Sequence, residues 1–358
     1  MTRKLQYGIV GLGTIGTVHA EAIRAAVPEA EICAFCDVDG ARLAEKADRF
    51  GVKGRYTDFR QMIGRADLDA VYVCVPNHLH RDVAVEALRA GRNVFCEKPM
   101  ALNAAQAREM ADAASKAGKV FQLGMVNRQR ADSQLVKQYV EEGFFGDIYH
   151  VNIVLRRHRG IPGMGGWFTT KAKSGGGCVI DISVHFLDLA LWLTGFWKPR
   201  TASAMDYAVF GRDMKAYKYV SMWAGPPDYE GTFDVDDYVA AFIRLPGRAT
   251  MKLDVAWAVN ARSETYIEIL GSKAGVRFMD DKPLTLITEV GGRPAEVVPQ
   301  FQTKDVKPFE IQARKFAAAL RGEAEPPATA EQGVVMMALL DAVYRSGAEG
   351  REVPVDLP

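Results

Sequence analysis

Through the first third of the chain, short apolar runs alternate with stretches of helical period. Residues 5–10 (LQYGIV), 31–36 (EICAFC), 70–75 (AVYVCV), 93–96 (NVFC) and 120–124 (VFQLG) are apolar on both faces, as strands covered from both sides must be. Between them, residues 14–26, 40–50, 80–90 and 104–117 read as helices. Asn103 followed by Gln106 has the form of a helix start, and Gly91 and Gly118 stand where helices stop. This alternation predicts a parallel sheet with helices on both faces, a doubly wound α/β domain over residues 1–125.

Beyond residue 125 the rhythm changes. A helix near 131–142 leads into longer segments at 147–157, 201–209, 237–245, 249–259 and 264–271. Several of these alternate polar and apolar positions, as in DDYVAAFIRL, which predicts a mainly antiparallel sheet with one covered face. Residues 126–358 are therefore expected to form an α+β domain on a large open sheet. Near the end, Phe309, Ala313, Phe316, Ala317 and Leu320 share one helical stripe, and Thr329 with Gln332 opens another helix; both read as packing helices, able to return to the first domain.

Composition narrows the function classes. The chain has 358 residues, enough for two domains at ~150 residues each, and 48% apolar with 25% charged residues is ordinary globular usage. With 45 basic against 44 acidic residues there is no field for nucleic acid or an anionic membrane. Apolar runs such as 70–76 are far short of the ~18 residues of a membrane span, and Gly8, Gly11, Gly13 and Gly16 interrupt the apolar start that could otherwise read as a signal peptide. A cytoplasmic protein is expected. The five cysteines (33, 36, 74, 96, 178) suit buried reduced thiols; Cys33 and Cys36 spell C-x-x-C, but in a strand rather than at a helix start. The six histidines show no metal-ligand spacing, so no metal is expected.

Three constellations carry candidate chemistry. Gly11-Leu12-Gly13-Thr14-Ile15-Gly16 follows a strand and opens a helix, the context in which G-x-G-x-x-G binds a dinucleotide. Gly11 permits the turn, Gly13 lets a pyrophosphate approach, Gly16 lets helix and strand pack, and the helix N-terminus favours the phosphates. Asp37, 21 residues after Gly16, stands where a carboxylate accepts hydrogen bonds from the ribose hydroxyls of NAD and repels the 2′-phosphate of NADP. Arg42 is read as too far along the helix to clamp that phosphate, and capping of a turn is the alternative for Asp37. Glu97-Lys98-Pro99 follows the strand NVFC, at the strand end where parallel sheets bind ligands. Lys98 is thus aimed at the cofactor crevice, with a surface lysine as the alternative. Finally, Asp181, His185 and Asp188 follow Gly175-Gly176-Gly177 and share one face if DISVHFLDLALWL is a helix. A carboxylate beside an imidazole is acid–base equipment, or else an internal hydrogen bond of a buried helix.

Taken in order, GLGTIG, DVD at 37–39, VPNHLH at 75–80, EKP at 97–99 and GGG-x3-D-x3-H resemble the glucose-fructose oxidoreductase / inositol dehydrogenase / rhizopine-catabolism (Gfo/Idh/MocA) family over nearly the whole chain. The resemblance implies a Rossmann domain, a second domain whose open sheet forms an oligomer interface, and NAD(P)-linked chemistry on sugars and cyclitols. It implies that Lys98 stands near the reacting hydroxyl, that Asp181 contacts substrate and that His185 is the acid–base group. Pro76, Asn77, His80 and Glu97 fall on the cofactor side, with a helix cap as the alternative for His80. Arg128 falls where the crevice is lined, with a surface arginine as its alternative. The stretch from Arg156 through His158 to Trp167, with its forked donors, aromatic face and glycines, is expected to be a mobile substrate loop; a flexible basic loop is the alternative. The expected reaction is oxidation of a secondary ring hydroxyl by hydride transfer to NAD. One rival is a redox-neutral glycoside hydrolase or lyase that regenerates NAD, and a more distant one is a non-catalytic NAD-dependent sugar sensor.

Overall fold

The computed structural model describes residues 3–357 apart from 220, 221, 281, 303 and 305. In chain order its elements are β1 (Leu5–Val10), α1 (Thr14–Ala26), β2 (Ala30–Cys36), α2 (Gly40–Phe50), β3 (Gly54–Tyr56), α3 (Phe59–Ile63), β4 (Ala70–Val73), α4 (His80–Arg89), β5 (Asn93–Cys96), α5 (Ala104–Ala117) and β6 (Phe121–Leu123). There follow α6 (Ala131–Glu141), β7 (Ile148–Arg156), α7 (Lys171–Ser174), α8 (Val184–Thr194), β8 (Thr201–Tyr207), β9 (Tyr238–Arg244), β10 (Thr250–Ala256), β11 (Glu264–Gly271), β12 (Gly275–Phe278), β13 (Thr285–Val290), β14 (Arg293–Val297), α9 (Pro308–Leu320), α10 (Ala330–Glu349) and β15 (Val353–Pro354). Two compact units emerge. The first is Met1–Gln129 with Lys307–Val334, the second Arg130–Val306 with Val335–Pro358.

In the first unit six parallel strands lie in the order β3-β2-β1-β4-β5-β6. The order reverses between β1 and β4, so the loops leaving their carboxyl ends diverge and leave a crevice. The helix signals do what their chemistry dictates: the Asn103 side chain accepts from the Gln106 amide at 3.0 Å, and Gly118 ends α5 at φ +58°. Tyr7, Ile9, Phe35, Tyr72 and Phe95 of the strands pack with Ile23 of α1 and with Ala313, Phe316 and Ala317 of α9. Tyr72 stacks on Phe95 at 4.7 Å, and the Phe316 ring stands edge-on to both. Burial of Phe316 alone contributes about 1.5–3 kcal/mol, so the apolar stripe of α9 is consumed in closing this core.

The second unit is a nine-stranded sheet, β14-β13-β12-β11-β7-β10-β9-β8-β15. The pair β10 and β7 is parallel and the other neighbours are antiparallel. Val151, Ile153 and Leu155 of β7, Leu253 and Val255 of β10 and Ile243 of β9 are buried on one face. Met205, Tyr207 and Phe242 are exposed on the other, as period-2 alternation requires. The stretch Lys171–Thr194 is long and apolar enough to cross a membrane by length and composition, but it is buried inside the unit, as a core helix is.

Candidate active site

The first unit's glycine loop is built by three different constraints. A Cβ at Gly11 (φ +90°) would lie 2.3 Å from the Cys74 carbonyl oxygen, and one at Gly16 would lie 1.9 Å from that of Gly11. A Cβ at Gly13 would meet nothing within 4 Å. Gly11 and Gly16 are therefore required by the protein's own backbone, whereas Gly13 faces open space. It is also the N-cap of α1 and offers no side-chain acceptor, so the first-turn N–H groups, those of Thr14, Ile15 and Gly16, are left for an external anion. The loop fits a dinucleotide pyrophosphate.

Asp37, buried directly after β2, holds that loop from behind. Its carboxylate accepts the Leu12 amide at 2.8 Å and the Asp39 amide at 2.9 Å. The expectation for Arg42 needs correction: α2 begins at Gly40, so Arg42 lies in its first turn, and its guanidinium reaches both Asp37 oxygens at 3.3 Å and Asp39 at 3.1 Å. Val38, 87% exposed, adds an apolar surface beside this carboxylate. The C-x-x-C pair is inert, since Cys33 and Cys36 are free on β2 and burial pushes their thiols up to about 11 and about 12.

Around Lys98, half-buried at the end of β5, three expected ligand residues turn inward instead. Glu97 is buried, with Oε1 2.7 Å from Nε2 of His19 and Oε2 accepting the Lys98 amide at 3.2 Å. His80 closes the short turn Asn77–Leu79 through its backbone amide, and its ring offers no nitrogen to a cofactor, because Nδ1 lies 2.7 Å from the Pro99 carbonyl and Nε2 2.8 Å from that of Val75. Burial pushes its pKa below the ordinary histidine value, against the pull of those two carbonyls. Arg128 is no crevice or surface arginine: fully buried, it donates to the Pro327 carbonyl and to Gln332 Oε1. Pro76 and Asn77 lie in the turn after β4, Asn77 buried. His19 had no functional reading in the sequence, although its place three residues after Gly16 puts it one turn further along the phosphate-facing helix.

In the second unit the Asp181 segment is not uniformly α-helical. Val179–Ser183 is a π turn that runs into α8. Asp181 is buried and its Oδ2 accepts the Trp257 indole N–H at 3.1 Å. Asp188 is buried. From Gly176 to Leu191 every residue but His185 is buried, so its imidazole is the one side chain of this run that reaches the surface. Asp236 anchors the turn, accepting from the Gly177 amide at 2.7 Å, the Val179 amide at 3.1 Å, the Cys178 thiol and the Tyr344 hydroxyl at 2.7 Å. The glycine run serves this packing: a Cβ at Gly177 would lie 1.8 Å from the Asp236 carbonyl, and one at Gly176 2.0 Å from the Tyr344 hydroxyl. Neither Trp257 nor Asp236 could be read from local sequence, since each acts through tertiary contact.

The stretch expected to be mobile is instead packed. Ile161 and Met164 are buried, and a Cβ at Gly165 would lie 1.8 Å from the Asp228 carbonyl, so this glycine answers a close backbone approach. Arg156 pairs with Glu264 and, at 3.6 Å, with Asp254. As the neighbour of Leu155 on β7 it projects from the open face, opposite the face that holds Val255; the structure does not bring it to Asp181. His158 is exposed, with Nδ1 3.0 Å from the Val259 carbonyl. Trp167 stacks on Phe168 at 3.8 Å.

Two family profiles match the chain: an oxidoreductase family with an NAD-binding Rossmann fold (GFO_IDH_MocA) over residues 5–125, and the GFO/IDH/MocA C-terminal domain over residues 133–277. The chain is 30% identical to the D-glucoside 3-dehydrogenase of Escherichia coli K12 over 352 residues, covering 98% of this chain and 97% of the relative. It is 26% identical to the inositol 2-dehydrogenase of Rhizobium meliloti 1021 over 359 residues, covering 98% and 99%. A solved levoglucosan dehydrogenase, in complex with NADH and L-sorbose, shares the fold with a TM-score of 0.86 at 23% identity, covering 100% of both chains. The protein belongs to the Gfo/Idh/MocA family of NAD-binding oxidoreductases.

Proposed function

We propose that this protein oxidises a secondary ring hydroxyl of a sugar, sugar derivative or cyclitol, with NAD preferred over NADP. The observation that carries the reading is His185, the one surface-reaching side chain of an otherwise buried helical run, four residues after a carboxylate fixed by an indole N–H. Gly11, Gly13, Gly16, Thr14, Ile15 and Asp37 hold the dinucleotide, with Pro76 and Asn77 on the cofactor side. Bound NAD supplies the hydride acceptor. The protein's own work is proton handling and alignment: His185 removes the hydroxyl proton, Asp181 orients substrate, and the Lys98 ammonium stabilises the developing alkoxide. The first unit is then the cofactor domain and the second the substrate domain. Its open sheet face, with Met205, Tyr207 and Phe242 exposed, forms a homo-oligomer interface. Five free cysteines accord with a cytoplasmic protein.

The test is absorbance at 340 nm with NAD across inositols, aldoses, uronic acids and glycosides. NADH should grow with one ligand class, and Lys98→Ala and His185→Ala, shown to be folded, should each lower kcat by about 10²–10⁴-fold. Glycoside cleavage that needs NAD but accumulates no NADH would overturn the reading, as would wild-type turnover in either variant.

A further inference from the structure

Lys98 is the one residue of the Glu97-Lys98-Pro99 segment whose side chain is not buried, and the residues on both sides of it are gripped by buried imidazoles from different helices. On one side, His19 of α1 holds Glu97 Oε1 at 2.7 Å, while the other oxygen of that carboxylate accepts the Lys98 amide. The fit behind Glu97 is tight: a Cβ at Gly124 would lie 2.8 Å from Glu97 Oε1. On the other side, His80, the first residue of α4, spans the Pro99 and Val75 carbonyls. Both histidines are 1% exposed, and His19 is caged by the rings of Tyr72, Phe95 and Phe309 at 5.5, 4.8 and 5.5 Å.

Such a cage is a poor place for a carboxylate and an imidazole. Apolar residues of similar volume fill buried sites with no desolvation cost, so a buried polar pair is poorly explained by stability alone. What the pair does achieve is registration. His19 rides on the helix that Gly13 caps and whose first turn carries Gly16, and Val75 immediately precedes Pro76 and Asn77. Through these two contacts Lys98 is tied to both parts of the dinucleotide cradle.

We propose that His19 and His80 are positioning residues that hold Lys98 in register with the cofactor cradle, His19 acting through Glu97 and His80 through the Pro99 carbonyl. The inference rests on the reading that Lys98 acts on the substrate hydroxyl. Neither histidine touches the reacting atoms, so their loss should lower kcat and leave NAD affinity nearly intact.

The experiment compares His19→Phe, His19→Gln and the apolar pair His19→Leu with Glu97→Met, each in the wild-type and Lys98→Ala backgrounds. The readouts are NAD affinity, turnover with the NADH-forming member of the panel above, and amide exchange across residues 97–101 in the absence of ligand. His19→Phe should lower kcat about 30-fold or more with NAD affinity within about 3-fold, whereas His19→Gln, which keeps a donor for Glu97, should stay within about 3-fold of wild type. In the Lys98→Ala background His19→Phe should change the residual rate less than about 2-fold, because there is no longer a lysine to misplace. Exchange at the Lys98 and Met100 amides should rise about 10-fold or more in His19→Phe, with β1 and β4 unaffected. If His19→Phe fails to fold around an unpaired carboxylate, the apolar pair removes that charge and should lose kcat while remaining folded. Equal losses in both backgrounds, or full turnover in a folded His19→Phe or apolar-pair protein, overturn the clamp. Full turnover in Lys98→Ala alone overturns the proposed function instead, and the exchange rates still report whether the clamp exists.

Discussion

Three glycines within a six-residue loop, Gly11, Gly13 and Gly16, do different work, and substitution separates them. Adding a methyl at Gly16 drives a Cβ to 1.9 Å from a backbone oxygen, so Gly16→Ala should destabilise the protein by about 1–3 kcal/mol in urea unfolding. Gly13→Ala meets no protein atom. It should change stability by no more than about 1 kcal/mol, the cost of a poorer N-cap, while weakening NAD binding about 10-fold or more in a fluorescence titration, because the methyl occupies space a pyrophosphate needs. Unchanged NAD affinity in Gly13→Ala would remove the cradle from the argument. The glycine pattern was readable because its constraint is local backbone geometry. Glu97, His80 and Arg128 were misread for the complementary reason: a strand end or turn fixes where a residue sits, but only the tertiary core decides whether its side chain turns toward a ligand or toward His19, Val75 or Pro327.

At the scale of elements, short runs apolar on both faces located β1, β2, β4, β5 and β6, and polar–apolar alternation located the long strands β7 to β11. The three-residue β3 and the short outer strands β12 to β15 offer too few alternations to be read. The π turn was also hidden, because its extra residue is paid for by contacts distant in sequence, chiefly Asp236. That carboxylate accepts from two amides, a thiol and a hydroxyl around residues 177–179 and 344. Asp236→Leu leaves several buried donors unpaired and should cost about 3 kcal/mol or more. In any folded fraction the π turn should relax, so kcat should fall more than thermal stability alone explains; Asp236→Asn, which keeps an acceptor oxygen, should lie between. Thermal unfolding together with turnover per folded molecule checks both outcomes, and a folded Asp236→Leu protein of full activity would show that the turn does not depend on this anchor.

For the molecule as a whole, the question is what covers the open face of the nine-stranded sheet. Met205, Tyr207 and Phe242 are 40%, 44% and 40% exposed on that face, and Tyr207 stacks on Tyr238 at 5.6 Å. An exposed apolar patch of this kind suits a surface completed by another chain. A formal net charge of +1 offers little repulsion between copies. The proposed occupant is a second copy of the same sheet, in which each patch meets its own image. Wild-type protein should therefore sediment above the monomer mass at micromolar concentration. Phe242→Glu with Met205→Glu places two carboxylates in each half of the interface, and should shift the association constant by about 100-fold or more toward monomer without lowering NAD affinity, because both residues lie in the second unit. A wild-type monomer across that range would leave the open face without this partner.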